Sequence, residues 1–181
     1  MKEFKILLVG DFLSEKEISI ALNSFQELYH SVTFKHQRRL KLTIIESEQN
    51  FPELIKMLKS KKIQTACQIV SPVDQSMVQS ILKDSSIMFL PTFSNIGKLI
   101  PVAFENGLPI VSLSTEDNLE KLDNTCSQLI SVSYKSEIET MFSETLKMLY
   151  FDPAACSILR KGSLTKFHAD YNWGRQKVMA K

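Results

Sequence analysis

The stretch from Ile87 to Ser114, IMFLPTFSNIGKLIPVAFENGLPIVSLS, constrains the fold of this chain more than any other. Its first four residues form an apolar run that Pro91 ends, which is typical of a strand buried on both faces. Gly97 opens a segment with apolar residues at helical spacing, and Asn106-Gly107 ends it with the left-handed conformation that glycine adopts at little cost. A second apolar strand follows from Pro109 to Leu113. Such a strand–helix–strand unit predicts a parallel sheet with a ligand-binding loop at its carboxyl edge.

Apolar strands alternate with amphipathic helices on both sides of this unit. Further strands are predicted at Phe4–Val9, Leu40–Ile45, Ala66–Val70 and Leu129–Val132. Helices are predicted to begin at the capping boxes Ser14–Glu17 and Ser136–Glu139, at Asn50–Glu53, after Pro72, and at Asp152-Pro153. This alternation from end to end predicts an α/β protein with a doubly wound, mostly parallel, Rossmann-like sheet.

Length and composition favour one globular domain over residues 1–181. The chain is 44% hydrophobic and 23% charged, as globular proteins usually are, and its net charge of +2 gives no reason to expect a nucleic acid or another polyanion as partner. The basic segment Lys35–Arg39 has no aromatic stacking platform, so a solvated connector is favoured over a nucleic-acid site. No apolar run approaches the roughly 18 residues of a membrane span. Peripheral contact with a membrane stays open.

Cysteine and histidine usage argues against two further kinds of site. Cys67, Cys126 and Cys156 are an odd, widely spaced set without CxxC, so we expect reduced thiols and a cytoplasmic location. The three histidines lack metal-ligand spacing, so neither a metal nor another cofactor is expected. The motifs GxGxxG, GxxxxGK[ST] and GxSxG are absent, which disfavours dinucleotide dehydrogenases, P-loop enzymes and α/β-hydrolases.

The segment FLPTFSNIGKLIPVAFENGLPIV resembles the signature of retaining, nucleotide-sugar-dependent glycosyltransferases of the GT-B fold, in the GT4-like glycosyl transferases group 1 family. The residues that match without a gap are Leu90, Pro91, Gly97, Gly107, Leu108 and Pro109. The two carboxylates of the family signature fall on Ser94 and Val102. The resemblance is therefore to a member whose active-site motif is degenerate.

Two further segments extend the resemblance over nearly the whole chain. Gly10 and Glu15-Lys16 match the first strand–loop–helix of the family, while Asp11 stands at the position of its phosphate-binding arginine. The segment around Trp173 is similar to the aromatic element before the closing helix of these enzymes. The resemblance covers the C-terminal, donor-nucleotide-binding half of such a transferase. The N-terminal acceptor domain of the family has no counterpart in the sequence.

The candidate site residues come from the resemblance and from the helix that Gly97 opens. A nucleotide diphosphate is expected to contact Gly10, Lys16, Ser94, Asn95, Ile96, Gly97, Lys98 and Leu99. Free amides at a helix N-terminus favour an anion there, but the side chain of Ser94 or Asn95 could cap them instead. Lys16 is either a diphosphate ligand or a solvated lysine of the first helical turn.

The resemblance also assigns a base-contacting loop and a ribose contact. The loop after the third strand, Ser71, Pro72 and Val73, would touch the nucleotide base, largely through its backbone. Glu105 is the candidate for the ribose contact that Val102 has lost, with a solvated residue as the alternative. No catalytic residue is assigned.

The expected function is that of a donor-binding domain that binds a nucleotide sugar. The resemblance implies transfer of a hexose, with retention and without a metal, to a glycan or lipid-linked acceptor in polysaccharide biosynthesis. Each missing charge-assisted hydrogen bond costs about 1.5–3 kcal/mol, so activity is expected to be impaired. The alternative is a non-catalytic homologue that acts as an interaction or regulatory domain, or as the partner of an active transferase or acceptor domain.

Overall fold

Six strands form one parallel sheet in a computed structural model that describes residues 3–71, 75–131 and 136–171. The strands are β1 (Phe4–Val9), β2 (Leu40–Ile45), β3 (Cys67–Val70), β4 (Ile87–Leu90), β5 (Ile110–Leu113) and β6 (Ser127–Ile130). Their order in the sheet is β3-β2-β1-β4-β5-β6, and each neighbouring pair is parallel. The doubly wound, Rossmann-like α/β sheet predicted from the sequence is confirmed.

The strand order reverses between β1 and β4, which are neighbours in the sheet but far apart along the chain. Ile6 is paired with Ile87 and Leu7 with Met88, so the loops that follow both strands emerge at the same edge. These loops lead away in opposite directions and leave a crevice between them, where open α/β sheets bind ligands.

Helices cover both faces of the sheet. They are α1 (Glu15–Ser31), α2 (Phe34–Gln37), α3 (Phe51–Ser60), α4 (Gln75–Asp84), α5 (Leu99–Glu105), α6 (Glu116–Lys121), α7 (Ile138–Phe151) and α8 (Pro153–Lys166). Neighbouring residues of β1 face opposite ways: Ile6 and Leu8 pack in one hydrophobic core with α1 and α7, and Leu7 packs in another with α5. Both cores therefore fix β1 at the centre of the domain.

Local signals define the start of α1 and the end of α5 as predicted. Ser14 accepts a hydrogen bond from the Glu17 amide, and the Glu17 carboxylate accepts one from the Ser14 amide, which makes the predicted capping box. Gly107 has φ +62°, the left-handed conformation predicted for the end of α5. Asp152 caps α8 by accepting from the Ala155 amide.

Several predicted features are wrong or shifted. Strands β3 and β5 each begin one residue later than predicted, and α5 begins at Leu99 rather than at Gly97. The Ser136–Glu139 capping box does not form, because α7 starts at Ile138 with Glu137 as an N-cap whose side chain makes no capping bond. Glu139 instead accepts a hydrogen bond from Asn23 Nδ2 at 2.8 Å, which joins α7 to α1. The last strand is Ser127–Ile130 rather than Leu129–Val132. The basic segment near Lys35 includes the short helix α2. Val132 and Trp173 lie outside the described residues.

Candidate functional site

The loop between β4 and α5 comprises residues 91–98. Some of its backbone amides donate hydrogen bonds to side chains of the same loop. The Ser94 amide donates to Thr92 Oγ1 at 2.9 Å, and the Gly97 amide donates to Asn95 Oδ1 at 2.7 Å. Of the two candidates, Asn95 accepts the Gly97 amide, whereas the N-cap of α5 itself is Lys98 and makes no side-chain capping bond. Ile96 is 2% exposed and packs in the hydrophobic core with α5, so its side chain cannot contact a ligand.

Glu17 joins this loop to the start of α1. Its Oε1 accepts hydrogen bonds from Thr92 Oγ1 and the Phe93 amide, each at 2.8 Å. Its Oε2 accepts from the amide and hydroxyl of Ser14 at 2.8 and 2.7 Å. Burial raises the pKa of the Glu17 carboxyl, but the donors of Ser14, Phe93 and Thr92 together outweigh it and hold the pKa below its ordinary value. A buried carboxylate therefore binds the β4–α5 loop where a ligand would approach.

Helix α6 supports the same loop from the other side. Asn95 Nδ2 donates to Asp117 at 3.1 Å, and Lys121 Nζ lies 3.5 Å from Asn95 Oδ1. Asn118 holds α6 against the sheet by donating to the Leu113 carbonyl at 2.8 Å. The β4–α5 loop is thus fixed by contacts to α1 and to α6.

Lys16 follows Ser14 and Glu15 in the first turn of α1 and is exposed. It borders a cavity of about 890 Å³ between α1 and α3, which we call the α1–α3 cavity. Gly10 and Asp11 border the same cavity, together with residues that follow β2. Within the described ranges, its lining includes no residue from 91–99. The structure therefore brings Lys16 together with Gly10. It places Ser94–Leu99 apart from that cavity, in the segment that follows Thr92 and Phe93, the two residues bonded to Glu17.

The remaining predicted contacts lie at the ends of other elements. Ser71 follows β3 and is half-buried, whereas Pro72 and Val73 lie outside the described residues. Glu105 is the last residue of α5 and is exposed, and Val102, on the same helix, is 36% exposed. Lys98 is exposed and Leu99 is buried at the start of α5.

Two carboxylates of this edge were not identified as site residues from the sequence. The capping box revealed one role of Glu17, but no local pattern reveals its contacts to Thr92 and Phe93, 75 and 76 residues away. Glu46, directly after β2, is 1% exposed although it carries an ionisable group. The only indication of Glu46 in the sequence is its position as a single glutamate directly after an apolar strand. In the described part of the chain, no group of three or more His, Cys, Asp or Glu could hold a metal ion.

No protein-family model and no curated protein sequence matches the chain. Solved glycosyltransferase structures match it closely in shape. The pneumococcal O-GlcNAc transferase GtfA, in complex with UDP and GlcNAc, matches 99% of the chain with a TM-score of 0.77 and 15% identity. WaaG, a glycosyltransferase involved in lipopolysaccharide biosynthesis, matches 97% with a TM-score of 0.78 and 10% identity.

A third match decides which part of such an enzyme the chain resembles. It is the C-terminal domain of a glycosyl transferase group 1 family protein (LpcC) from Francisella tularensis, with a TM-score of 0.71 and 12% identity over 94% of the chain and 87% of that domain. The chain has the fold of a GT-B glycosyltransferase C-terminal domain. It spans 37% of GtfA and 46% of WaaG. Among the described helices, none is long and apolar enough to cross a membrane.

Proposed function

We propose that this chain is the nucleotide-sugar-binding domain of a GT-B glycosyltransferase and works with an acceptor-binding domain or a partner transferase. The observation that carries the proposal is the meeting of the β1–α1 and β4–α5 segments at the point where the strand order reverses, in the fold of enzymes such as GtfA. This crevice is where sheets of this topology bind nucleotides. The three free thiols are consistent with a cytoplasmic location.

In this proposal the diphosphate lies between the first turn of α1 and the start of α5. Lys16 supplies the positive charge, Gly10 permits close approach of the backbone, and the segment from Ser94 to Leu99 supplies amides. Ser71, Pro72 and Val73 contact the base, and Glu105 is the candidate ribose ligand. The reaction of the whole enzyme would be metal-free transfer of a hexose, with retention, to a glycan or lipid-linked acceptor.

Donor binding in this site should be weak. Ser94 and Val102 offer no carboxylate to the sugar or the ribose, and Asp11 places a negative charge near the diphosphate. The amides of Phe93 and Gly97 already donate to Glu17 and Asn95. The amides of Ser94 and Leu99 also have acceptors within the loop, Thr92 Oγ1 and the Ile96 carbonyl. A phosphate must compete with these internal acceptors or use the other amides of the loop.

Calorimetric titration of the chain with UDP, GDP and their sugars tests this proposal. We expect a dissociation constant below about 1 mM for at least one of them, which corresponds to about −4 kcal/mol. Lys16→Ala should weaken binding by about two- to fivefold, because an exposed ion pair contributes at most about 1 kcal/mol. Lys161→Ala, which removes an exposed lysine from α8, is the matched control and should leave binding unchanged.

A non-catalytic interaction or regulatory domain is the second candidate function. The internal bonds of Glu17 and Asn95 favour it, because they satisfy the β4–α5 loop without any ligand. Absence of binding for every nucleotide at millimolar concentration would reject the donor-domain proposal and support this one. Binding that Lys16→Ala and Lys161→Ala weaken equally would reject the assigned diphosphate site.

A further inference from the structure

The α1–α3 cavity borders the proposed donor site at Gly10 and Lys16 but extends beyond it, along α3 and the residues that follow β2. Its volume of about 890 Å³ is more than twice the 380 Å³ of the pocket beside α4 and lies within the range of small-molecule sites. The cavity lies between the segments that follow β1 and β2, so it opens at the carboxyl edge of the sheet. Parallel sheets bind their ligands at that edge.

Glu46 provides a buried carboxylate at this cavity with only one oxygen satisfied. Its Oε1 accepts hydrogen bonds from the Ser47 amide at 2.9 Å, the Ser47 hydroxyl at 3.1 Å and Asn50 Nδ2 at 2.9 Å. Its Oε2 lies against Gly10, so closely that a Cβ at Gly10 would overlap it. Within residues 3–71, 75–131 and 136–171, no donor reaches this second oxygen.

The free oxygen must therefore open into the cavity. Among the described residues, every fully enclosed side-chain nitrogen or oxygen has a hydrogen-bond partner. An Oε2 without a donor is consequently not fully enclosed, although Glu46 as a whole is 1% exposed. A nearly buried carboxylate oxygen without a donor is costly, because it has lost most of its hydration. A ligand that donates a hydrogen bond would recover that cost.

The walls of the cavity indicate what kind of ligand fits. Apolar side chains line one part: Leu13, Ile18, Leu54 and Met57. Ser47, Gln49, Asn50 and Glu53 line another part beside Glu46. A ring with an apolar face and hydroxyl groups at its edge would satisfy both.

Charge disfavours a phosphate in the part of the cavity beside Glu46. The described lining carries four carboxylates and one ammonium group. The carboxylates are those of Asp11, Glu15, Glu46 and Glu53, and the ammonium group is that of Lys16. An anion would meet repulsion inside the cavity, whereas an uncharged hydroxyl group would find acceptors. We infer that the α1–α3 cavity binds an uncharged sugar ring, and that Glu46 Oε2 accepts hydrogen bonds from its hydroxyl groups.

The ring could belong to the ribose of a nucleoside or to a unit of a saccharide. The cavity shares Gly10 and Lys16 with the proposed diphosphate site but includes no residue of 91–99, and the inference rests on Glu46 and the residues that follow β2. The two can also fail separately. If UDP shifts the signals of Ser94–Leu99 while neither uridine nor maltose shifts those of Ser47 and Asn50, the donor domain is retained and the inference is rejected. If uridine or maltose shifts Ser47 and Asn50 while UDP leaves Ser94–Leu99 in place, the inference is retained and the donor domain is rejected.

Amide NMR titration of the chain with uridine, maltose and inorganic phosphate tests the inference. We expect uridine or maltose to shift the signals of the Ser47 amide and of the Asn50 side-chain amide, and phosphate to leave them in place. A shift with uridine alone identifies ribose as the source of the ring, and a shift with maltose alone identifies a saccharide. Absence of shifts with both, up to about 20 mM, would overturn the inference, since that concentration detects binding of only about −2 kcal/mol.

Variants separate a ligand-binding role of Glu46 from a structural one. Glu46→Gln replaces the free acceptor by a neutral amide and should weaken binding at least about tenfold, as expected for a lost charge-assisted hydrogen bond. Glu53→Gln, an exposed carboxylate of the same cavity, should change it less than about threefold. Equal affinity in folded Glu46→Gln would reject the role of Glu46. Should Glu46→Gln not fold, Met57→Trp fills the apolar wall instead, and binding that survives it would reject the cavity.

Discussion

The β4–α5 loop and the α1–α3 cavity lie at the same edge of the sheet, but they differ in whether their polar groups have hydrogen-bond partners within the chain. In the loop, Glu17 and Asn95 accept from the backbone amides of Phe93 and Gly97, so the polypeptide itself occupies the groups that could bind an anion. In the cavity, Glu46 satisfies one oxygen with Ser47 and Asn50 and leaves the other without a donor.

The difference shows that the position of a loop in the fold and the hydrogen-bonding groups it leaves available are separate properties. A ligand at the loop must replace hydrogen bonds that already exist, so its net gain is small. A ligand in the cavity forms bonds that the folded chain lacks. Strand order alone predicts a ligand at the loop, because the order reverses there. The hydrogen bonds of the folded chain instead leave a free acceptor in the cavity.

Removal of Glu17 should produce the largest effect on stability. Glu17→Ala deletes four hydrogen bonds to the carboxylate and leaves the Phe93 amide and the Thr92 hydroxyl without their acceptor. We expect unfolding free energy to fall by about 3 kcal/mol, since a buried group deprived of its partner costs about 1–3 kcal/mol and charged bonds are stronger. Urea denaturation measures this.

The matched control for that prediction is Glu15→Ala, which removes an exposed carboxylate from the same helical turn. It should change stability by less than about 0.5 kcal/mol. A loss below about 1 kcal/mol in Glu17→Ala would mean that the β4–α5 loop is held mainly by α6, and the comparison between a closed loop and an open cavity would weaken accordingly.

Acid pH should reduce the contribution of Glu17 by a smaller amount. Its pKa is lowered on folding, so the stabilisation is complete above the unfolded value of about 4.3 and disappears as pH falls through the lower folded value. Glu17→Gln keeps an acceptor but loses the charge. Its deficit of about 1 kcal/mol at pH 7 should therefore shrink toward pH 3.

Asp123 must be separated from Glu17 in that experiment. The bond from Lys166 and the donors of Thr125 lower the Asp123 pKa as well, so wild type and Glu17→Gln should both lose stability through Asp123 in acid. The diagnostic quantity is the difference between the two proteins, measured by urea denaturation from pH 7 to pH 3. A constant difference would show that the Glu17 charge contributes nothing.

Much of the fold could be predicted because its signals are local. Strands β1, β2 and β4 have the bounds predicted for them, since each is an apolar run next to a polar or turn residue. The Ser14–Glu17 box forms, but Ser136–Glu139 does not, although both have the same pattern. A capping box also requires the helix to begin at its serine, and the partner of Glu139 on α1 cannot be identified from neighbouring residues.

The chemistry of the site was harder to predict, because it depends on contacts between distant segments. The sequence indicated Ser94 and Asn95 as the two candidate acceptors for the amides near Gly97, and Asn95 is the one that accepts the Gly97 amide. Asparagine two residues before an amide favours that bond. It did not indicate that Glu17 reaches Phe93, or that Glu46 is buried beside Gly10. Both contacts join segments that are far apart along the chain, and predicting them requires knowing the order of the strands in the sheet.

Asn95→Ala should reduce stability less than Glu17→Ala does, and it is the most direct test of whether the β4–α5 loop is closed by its own side chains. Asn95 is exposed, and its bonds to the Gly97 amide and to Asp117 lie near solvent, so we expect a loss of at most about 1 kcal/mol. The variant also frees the Gly97 amide for a phosphate. Affinity for UDP should therefore rise about threefold, the equivalent of about 0.6 kcal/mol.

Asn106→Ala is the matched control for Asn95→Ala, because Asn106 is a part-exposed asparagine at the other end of α5 whose side chain donates to the Val102 carbonyl. It should cost similar stability and leave UDP affinity unchanged. If Asn95→Ala also leaves the affinity unchanged, the freed amide is not part of a phosphate site, and Asn95 serves only to hold the loop against α6. If affinity rises only in Asn95→Ala, the loop remains an anion site that its own side chains cover.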